Sequence, residues 1–358
     1  MRTVDLHRRA AREGGPVFVG IDSHKDSLAA CAVDGNGREV RSAVFENSPA
    51  GHRDLLAWAQ RTGTLERFGI EGSANLGAGL TRLLMAEGET VCEVPCEMTV
   101  RERRRLRRPG KSDPADALAI ARITAREATL PPARRAGATE DLKVLSDYRD
   151  QLVVERNAEV NRLHADLAIV CPGYARRCRT LVAARSLLTA GRLLRRETSV
   201  RAQVAKRRIS RLRKLDRQIA ELAKEIADLV QETGTRLTEI VGIGPLLAAR
   251  ILGEVADVSR YPSANHFASA NGTAPIPASS GRTDRHRLNR GGNRRLNKAL
   301  HYVALTQANF EPRAITYLAR KQSEGKTRRE ALRCLKRRLS DVVYRALVSD
   351  AQEGAMAA

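Results

Sequence analysis

The sequence has 358 residues and a formal net charge of +22, with 63 Lys and Arg against 41 Asp and Glu. This length and a hydrophobic content of 42% allow two or three domains with packed cores. So large a positive charge indicates a nucleic-acid partner, with an anionic membrane surface as the competing interpretation. Aromatic residues are only 3% of the chain, which argues against recognition by base stacking and favours contacts with phosphates and duplex shape.

Two features of the sequence argue against a membrane or secreted protein. No apolar run approaches the roughly 20 residues that span a bilayer. The first 15 residues lack the apolar core of a signal peptide. We therefore expect a cytoplasmic bacterial protein that associates with the nucleoid when it is active. The six cysteines lack zinc-site spacing, which predicts reduced thiols.

Strand and helix signals alternate in a predicted first domain, residues 16–130, which indicates a mixed α/β sheet. The runs 17–21 and 28–33 are strand-like, and the DGNG sequence at 34–37 is a hairpin turn signal. Ser48 and Pro49 then open an amphipathic helix. A strand at 68–71, a helix at 76–87 and a strand at 91–94 complete the pattern.

Four carboxylates in this domain lie in settings that suit divalent metals. Asp22 and Glu71 end two of the predicted strands, so they can converge on one side of a sheet. Asp113 and Asp116 are three residues apart at a predicted helix start and face the same way. Four acids this close repel one another unless cations neutralise them, which predicts a site for Mg²⁺, with two metals favoured for phosphodiester chemistry.

A basic run at 101–111 precedes the aspartate pair. Seven of its eleven residues are Arg or Lys, which favours a phosphate-binding segment over a solvated helix face. The residues that we assign to it are Arg103, Arg104, Arg105, Arg107, Arg108 and Lys111.

The second predicted region, residues 139–233, is helical throughout. Leucine and isoleucine recur between Leu212 and Leu229 at alternating spacings of three and four, which is a heptad seam. The seam fits an intramolecular antiparallel hairpin and a coiled-coil dimer equally well.

The third predicted region, residues 234–350, is mostly helical and begins with the pattern of a helix-hairpin-helix. A turn bounded by Gly242 and Gly244 precedes a helix that starts at Pro245, so backbone N–H groups can approach a phosphate. A polar loop follows, with Ser279 and Ser280 among many arginines. Those that we predict to contact nucleic acid are Arg282, Arg285, Arg287, Arg290, Arg294 and Arg295.

The order of these motifs resembles that of the insertion-sequence transposases with a DEDD-type RuvC-like domain. This group includes the Piv-type DNA invertases and the bridge-RNA-guided recombinases. The matching motifs are GIDSHKDS at 20–27, GIEGS at 69–73, KSDPADA at 111–117, VGIGPLLAARIL at 241–252 and SSGRTDRHRLNRGGNRRLNKAL at 279–300.

The resemblance implies an RNase H-like (RuvC-like) N-terminal domain whose Asp22, Glu71, Asp113 and Asp116 bind Mg²⁺. It also implies a C-terminal transposase domain whose catalytic serine is Ser280, with Ser279 as the neighbouring choice. That serine would form a covalent phosphoserine with DNA during recombination. The implied partners are donor and target double-stranded DNA, a structured bridge RNA, and further copies of the chain in a dimer or tetramer.

Two other functions are compatible with these residues. One is a metal-dependent nuclease of the Holliday-junction-resolvase type, in which water is the nucleophile and Ser280 is only structural. The other is a nucleic-acid-binding protein without catalysis, whose acids merely pair with arginines. A covalent protein–DNA adduct distinguishes the first from a serine recombinase, and indifference to a chelator would favour the second.

Overall fold

The computed structural model describes residues 15–105, 113–133, 137–277, 286–287, 289 and 291–357. For Arg105, Asp113, Pro277, His286, Arg287 and 354–357 it describes the backbone alone. The chain divides into two compact units, which meet in sequence between Ala136 and Gly137.

The strand signals of the first unit produce the mixed sheet that they predict. Within the described residues its strands are β1 (Pro16–Ser23), β2 (Ser27–Asp34), β3 (Glu39–Glu46), β4 (Thr64–Glu71) and β5 (Val91–Glu93). Their order across the sheet is β3-β2-β1-β4-β5. The pairs β1–β2 and β2–β3 are antiparallel, while β4 is parallel to β1 and β5 is parallel to β4.

Helices cover both faces of this sheet. They are α1 (Pro49–Thr62), α2 (Ala78–Ala86), α3 (Cys96–Arg105) and α4 (Asp113–Arg126). Ser48 caps α1, as its position before Pro49 predicts. Its Oγ accepts a hydrogen bond from the Gly51 N–H at 3.3 Å. Alternate residues of β2 point to opposite faces, so Leu28 packs with α1 and Cys31 packs with α4.

Two glycines let α4 lie directly on the strands. A Cβ at Gly20 on β1 would overlap the backbone of Ala117 and Ala121 on α4. A Cβ at Gly69 on β4 would overlap the side chain of Thr124. Gly20 and Gly69 are register partners in the parallel pair. The close approach of α4 to the centre of the sheet therefore depends on the absence of side chains at both positions.

Gly20→Ala is expected to destabilise the first unit by more than about 3 kcal/mol, because the overlap is with helix backbone that no rotamer change relieves. Chemical denaturation of the full chain measures this loss. Gly35→Ala, where nothing lies within 4 Å of the added Cβ, is the matched control. Equal midpoints for the two variants would contradict the close packing of α4.

In the described residues of the second unit, the regular secondary structure is helical apart from one short two-stranded ladder. Its helices are α5 (Ala138–Val170), α6 (Ala184–Leu193), α7 (Val200–Glu232), α8 (Pro245–Val255), α9 (Ala264–Ala270), α10 (Arg294–Phe310), α11 (Pro312–Ser323) and α12 (Arg328–Ala357). Turns of 3₁₀ helix lie at Tyr174–Arg176, Arg236–Glu239 and Val258–Arg260, and the ladder joins β6 (Ile276–Pro277) to β7 (His286–Arg287).

The heptad seam of α7 pairs within the chain, with α5. Arg208 of α7 contacts Glu159 at 2.7 Å and Asp166 at 2.8 Å, and Arg156 of α5 pairs with Asp216 further along α7. Residue numbers rise on one helix as they fall on the other, so the pair is antiparallel. The structure thus forms the intramolecular hairpin, one of the two arrangements that the seam allowed.

The second and third regions predicted from the sequence share one core. Leu142 of α5 and Ile226 of α7 are buried in the same cluster as Leu252 of α8 and Leu300 of α10. The structure therefore has two units where the sequence suggested three regions, because the ends of the long hairpin supply apolar surface to the C-terminal helices.

The predicted helix-hairpin-helix is not confirmed, because the helix that should precede its turn is absent from the described residues. Helix α8 begins at Pro245 as expected, and Gly242 takes the left-handed conformation, with a φ of 89°. The element before the turn is a single 3₁₀ turn, Arg236–Glu239, where the pattern predicted a helix. Thr235 caps it through the Leu237 N–H, and the backbone is already extended at Ile240, so it ends after one turn. Within the described residues, no helix is long and apolar enough to cross a membrane.

Candidate active site

Two of the predicted acids lie side by side at the carboxyl ends of β1 and β4. Asp22 and Glu71 are register partners in this parallel pair, so their backbones are directly adjacent. Both residues are half-buried. The Oδ2 atom of Asp22 lies 3.2 Å from Nε2 of His24, and the thiol of Cys96 donates a hydrogen bond to Glu71, which raises the pKa of Cys96.

Asp116 lies in the first turn of α4, the helix that crosses β1 at Gly20. It is only 5% exposed. Arg103 of α3 pairs with it, with Nε 3.2 Å from Oδ1 and an Nη atom 3.3 Å from Oδ2. The Oδ1 atom nevertheless accepts no hydrogen bond of good geometry. A buried carboxylate oxygen that accepts no such bond is one that a bound cation could satisfy.

Glu93 of β5 is a fifth acid in this neighbourhood, which the sequence patterns did not single out. It accepts hydrogen bonds from the backbone N–H of Gly72 at 3.2 Å and of Ser73 at 3.0 Å, and from the Ser73 hydroxyl. These bonds fix the turn that directly follows Glu71 and so position the Glu71 side chain. The position of Glu93 near the end of the strand predicted at 91–94 was the signal in the sequence that could have identified it.

The fit of these residues to a metal is partial. Asp22, Glu71 and Asp116 supply the oxygen ligands that Mg²⁺ prefers. Among the side chains that the structure describes, no three acidic, histidine or cysteine groups are close enough to hold a metal. The Asp113 side chain lies outside the described residues, although its backbone places it one turn before Asp116 on α4. The structure therefore brings Asp22 and Glu71 together and does not test the complete four-acid set.

The predicted phosphate-binding arginines of the first unit have different surroundings. Arg104 is exposed, as a phosphate contact requires, whereas Arg103 is half-buried and pairs with Asp116. Only the backbone of Arg105 is described. Arg107, Arg108 and Lys111 lie outside the described residues.

The predicted contacts of the second unit lie in two places. Gly242 and Gly244 flank the turn before α8, and Gly244 has open space around it. Arg294 and Arg295 are exposed in the first turn of α10. Arg287 is described by its backbone alone in β7. Ser279, Ser280, Arg282, Arg285 and Arg290 lie outside the described residues.

Arg295 belongs to an ion-pair network around buried Glu254. Its guanidinium lies 2.7 Å from Asp147 and 3.5 Å from Glu254, which Lys143 also contacts at 3.2 Å. Burial alone would raise the pKa of Glu254, but hydrogen bonds from Asn293 and Lys143 and the nearby cations hold it below its ordinary value. Arg295 thus links α10 to α5 and α8, whereas no ion pair of Arg294 is found among the described residues.

The chain on both sides of the serine-containing segment is anchored. Buried Asn271 donates to the Ser340 hydroxyl at 2.8 Å, and its carbonyl accepts from Asn297 at 2.8 Å. A Cβ at Gly292 would overlap the backbone of Gly272. The absence of side chains at these two glycines therefore lets the chain before the segment contact the chain after it. The Asn293 side chain then caps α10. These contacts fix where residues 273–291 leave and rejoin the helical unit.

Two family models match the chain in the order in which the domains occur. One, described as "Transposase" and specific for the DEDD type of IS110, matches residues 19–172. The other, described as "Transposase IS116/IS110/IS902 family", matches residues 234–319. The chain is accordingly an IS110/IS116-family transposase with a DEDD N-terminal domain. It is an enzyme that cuts and rejoins DNA.

Relatives from insertion elements extend over almost the whole chain. The IS116 protein of Streptomyces clavuligerus is 27% identical over 92% of this chain and 94% of its own length. The IS900 protein of Mycobacterium paratuberculosis is 26% identical, with 92% and 95% covered. A structure of Thermus thermophilus RuvC with a Holliday-junction substrate is 21% identical and covers 32% of this chain and 98% of RuvC, with a TM-score of 0.27.

Proposed function

We propose that this transposase cleaves and rejoins DNA at a carboxylate site that holds Mg²⁺. The observation that carries the proposal is the register pairing of Asp22 with Glu71, which sets two carboxylates side by side where β1 and β4 end. We propose buried Asp116 on α4 and Asp113, one turn before it, as the further ligands. When bound, the metal polarises the phosphodiester and offsets the negative charge that develops on phosphorus and on the leaving oxygen.

Arg103 has a defined part in this proposal. Its guanidinium neutralises Asp116. Since it is 29% exposed, it can turn toward solvent or toward a DNA phosphate when a metal takes over that charge. Arg103 would then be both a counter-ion of Asp116 and one of the phosphate contacts that its basic segment predicts.

The proposed nucleophile is Ser280. Its Oγ forms a bond to phosphorus as the bond from phosphorus to the leaving sugar oxygen breaks, and the hydroxyl proton passes to that oxygen. The sugar hydroxyl of the exchanging strand then attacks the phosphoserine, which restores a phosphodiester and returns the proton to Ser280. One ester is exchanged for another at each step, so no outside energy source is needed. The motif resemblance and the anchored ends of the segment at Asn271 and Asn293 support this choice.

We further propose that a structured bridge RNA selects donor and target DNA, and that several copies of the chain act together. The motif resemblance supports both points, and the net charge of +22 suits a chain that must hold several nucleic-acid strands. Recombination requires at least two duplexes at once. Because the α7 seam pairs with α5 in the same chain, assembly surfaces must be sought elsewhere on the molecule.

A recombination assay tests the proposed function. The chain is incubated with DNA that carries the ends of its own element, a target duplex and the RNA transcribed beside the gene. We expect joined product in Mg²⁺, none in EDTA, and recovery when Mg²⁺ is restored. Linear products with free ends and no joined strand would instead indicate a nuclease that uses water.

The salt dependence of DNA binding gives a separate prediction. Affinity is expected to fall steeply between low and physiological salt, because contacts with many phosphates release counter-ions. Each lost contact lowers the slope of log affinity against log salt by about 1. Arg104→Glu, at an exposed position, is expected to flatten the slope, whereas Arg53→Glu, equally exposed on α1, is not. Identical slopes would remove Arg104 from the DNA contacts.

A further inference from the structure

A basic cavity lies between α10 and α12, next to the anchored ends of the serine-containing segment. Its volume is about 750 Å³. Gly272 and Gly292, which bring the two ends of that segment together, form part of its wall. The cavity therefore belongs to the second unit and is separate from the carboxylates of the first.

The charges around this cavity are all of one sign. Six basic side chains line it, and among its described lining residues none is acidic: Arg294, Lys298, His301, Arg329, Arg333 and Lys336. On α10 the positions 294, 298 and 301 share a face, and on α12 the positions 329, 333 and 336 share a face. Two helices thus present their basic faces to the same space, an arrangement that self-repulsion disfavours without an anion.

Among these residues, Lys336 gives the strongest indication of an anionic ligand. It is 8% exposed, and among the described residues its Nζ donates one hydrogen bond, to Asn297 Oδ1 at 2.6 Å. No carboxylate of the described residues pairs with Lys336, and burial lowers its pKa. An ammonium group has three protons to donate, so a buried one with a single neutral acceptor is costly unless a ligand completes its shell. Another of the six basic residues, Arg333, lies 3.7 Å from the carboxylate of exposed Glu330.

The cavity suits a phosphate better than a base. Apart from His301, its described lining includes no aromatic ring on which a base could stack. Lysine and arginine groups converging on one space provide charge-assisted donors to phosphate oxygens. His301 lies near Lys336, and burial together with that charge lowers its pKa, so it contributes a neutral imidazole rather than further repulsion.

We infer that this cavity binds a backbone phosphate of the DNA strand on which the transposase acts. DNA is chosen over RNA because the cavity wall includes the glycines at which the chain enters and leaves the Ser280 segment. The choice of DNA as the source of the phosphate rests on the proposed function, whereas the binding of a phosphate does not. Bound there, the phosphate would hold the strand beside that segment and satisfy the buried Lys336 ammonium.

Two sets of variants test the inference in the full chain. Lys336→Met removes the charge and keeps the length of the side chain. A second variant combines Arg329→Gln with Arg333→Gln, both at exposed positions of α12 where folding is not at risk. Arg53→Gln on α1 is the control for a lost surface charge. Binding to a short duplex DNA and to a duplex RNA is measured by anisotropy in EDTA over a range of salt, together with thermal unfolding.

We expect Lys336→Met to weaken DNA binding about tenfold and to lower the salt slope by about 1, with the double variant lowering it by about 2. The melting temperature of Lys336→Met without DNA should stay the same or rise, since a buried charge has been removed. A purely structural lysine would instead give a lower melting temperature and unchanged DNA affinity in the double variant. That result, or a loss confined to RNA, overturns the inference.

These outcomes are separable from those of the proposed function. The measurements are made in EDTA, so they do not depend on strand cleavage. Wild-type affinity in both cavity variants, with recombination abolished in Asp22→Asn, would reject the cavity and leave the proposed function standing. Weakened DNA binding in both variants, with normal recombination by Asp22→Asn, would keep the cavity and reject the carboxylate mechanism.

Discussion

Asp22→Asn is expected to lower recombination by roughly 1,000-fold or more, equivalent to about 4 kcal/mol of transition-state stabilisation. The change removes a charged carboxylate that we propose as a metal ligand and keeps the size of the side chain. Glu71→Gln should have an effect of the same order, because Glu71 is the register partner of Asp22 and belongs to the same proposed site. Product formation from element-end DNA in saturating Mg²⁺ measures both losses.

The control for these variants is Asp54→Asn, an exposed acid on α1 of the same unit. It should recombine DNA at the wild-type rate. Circular dichroism and DNA binding in EDTA should be unchanged in all three proteins, because Asp22 and Glu71 are half-buried at the carboxyl ends of β1 and β4 and lie outside the apolar core. Normal recombination by a folded Asp22→Asn protein would refute the metal assignment.

Ser280→Ala is expected to abolish the covalent protein–DNA adduct completely. Without the hydroxyl no phosphoserine can form, whereas the arginines and carboxylates that we propose to bind DNA and Mg²⁺ remain. Denaturing electrophoresis with labelled substrate DNA, followed by mapping of the modified peptide, detects the adduct. Binding of DNA in EDTA should match that of the wild-type chain.

Ser279→Ala is the matched control, because it removes the neighbouring hydroxyl of the same segment. It should retain the adduct and most of the activity. An adduct that persists in Ser280→Ala and disappears in Ser279→Ala would move the nucleophile by one residue. Strand cleavage without an adduct in either variant or in the wild type would make water the nucleophile.

Much of the first unit follows from local sequence. Its strands end where apolar runs meet polar residues, Ser48 caps α1 through its own hydroxyl, and Asp113 begins α4 as its position before Pro114 predicts. These features depend on neighbours within a few residues. For the same reason the sequence placed Asp22 and Glu71 at strand ends before their register was known.

The tertiary structure decided how distant elements combine. The apolar seam of α7 could pack against any helix with a matching apolar stripe. The sequence therefore did not identify the partner, and the tertiary structure shows that it is α5 of the same chain. Likewise Arg103 belongs to a basic run in sequence, yet the placement of α3 beside α4 makes it the counter-ion of Asp116.

Lys336 shows most clearly the difference between what local sequence determines and what tertiary packing decides. In the sequence it is one of several cations on a long helix, and the spacing of Arg329, Arg333 and Lys336 shows only that they share a face. Their common orientation toward Arg294 and Lys298 depends on the packing of α10 against α12. Local sequence determines which elements form, because caps, turns and periodicity act over a few residues. Burial and the pairing of charges are decided when elements far apart in the chain pack together.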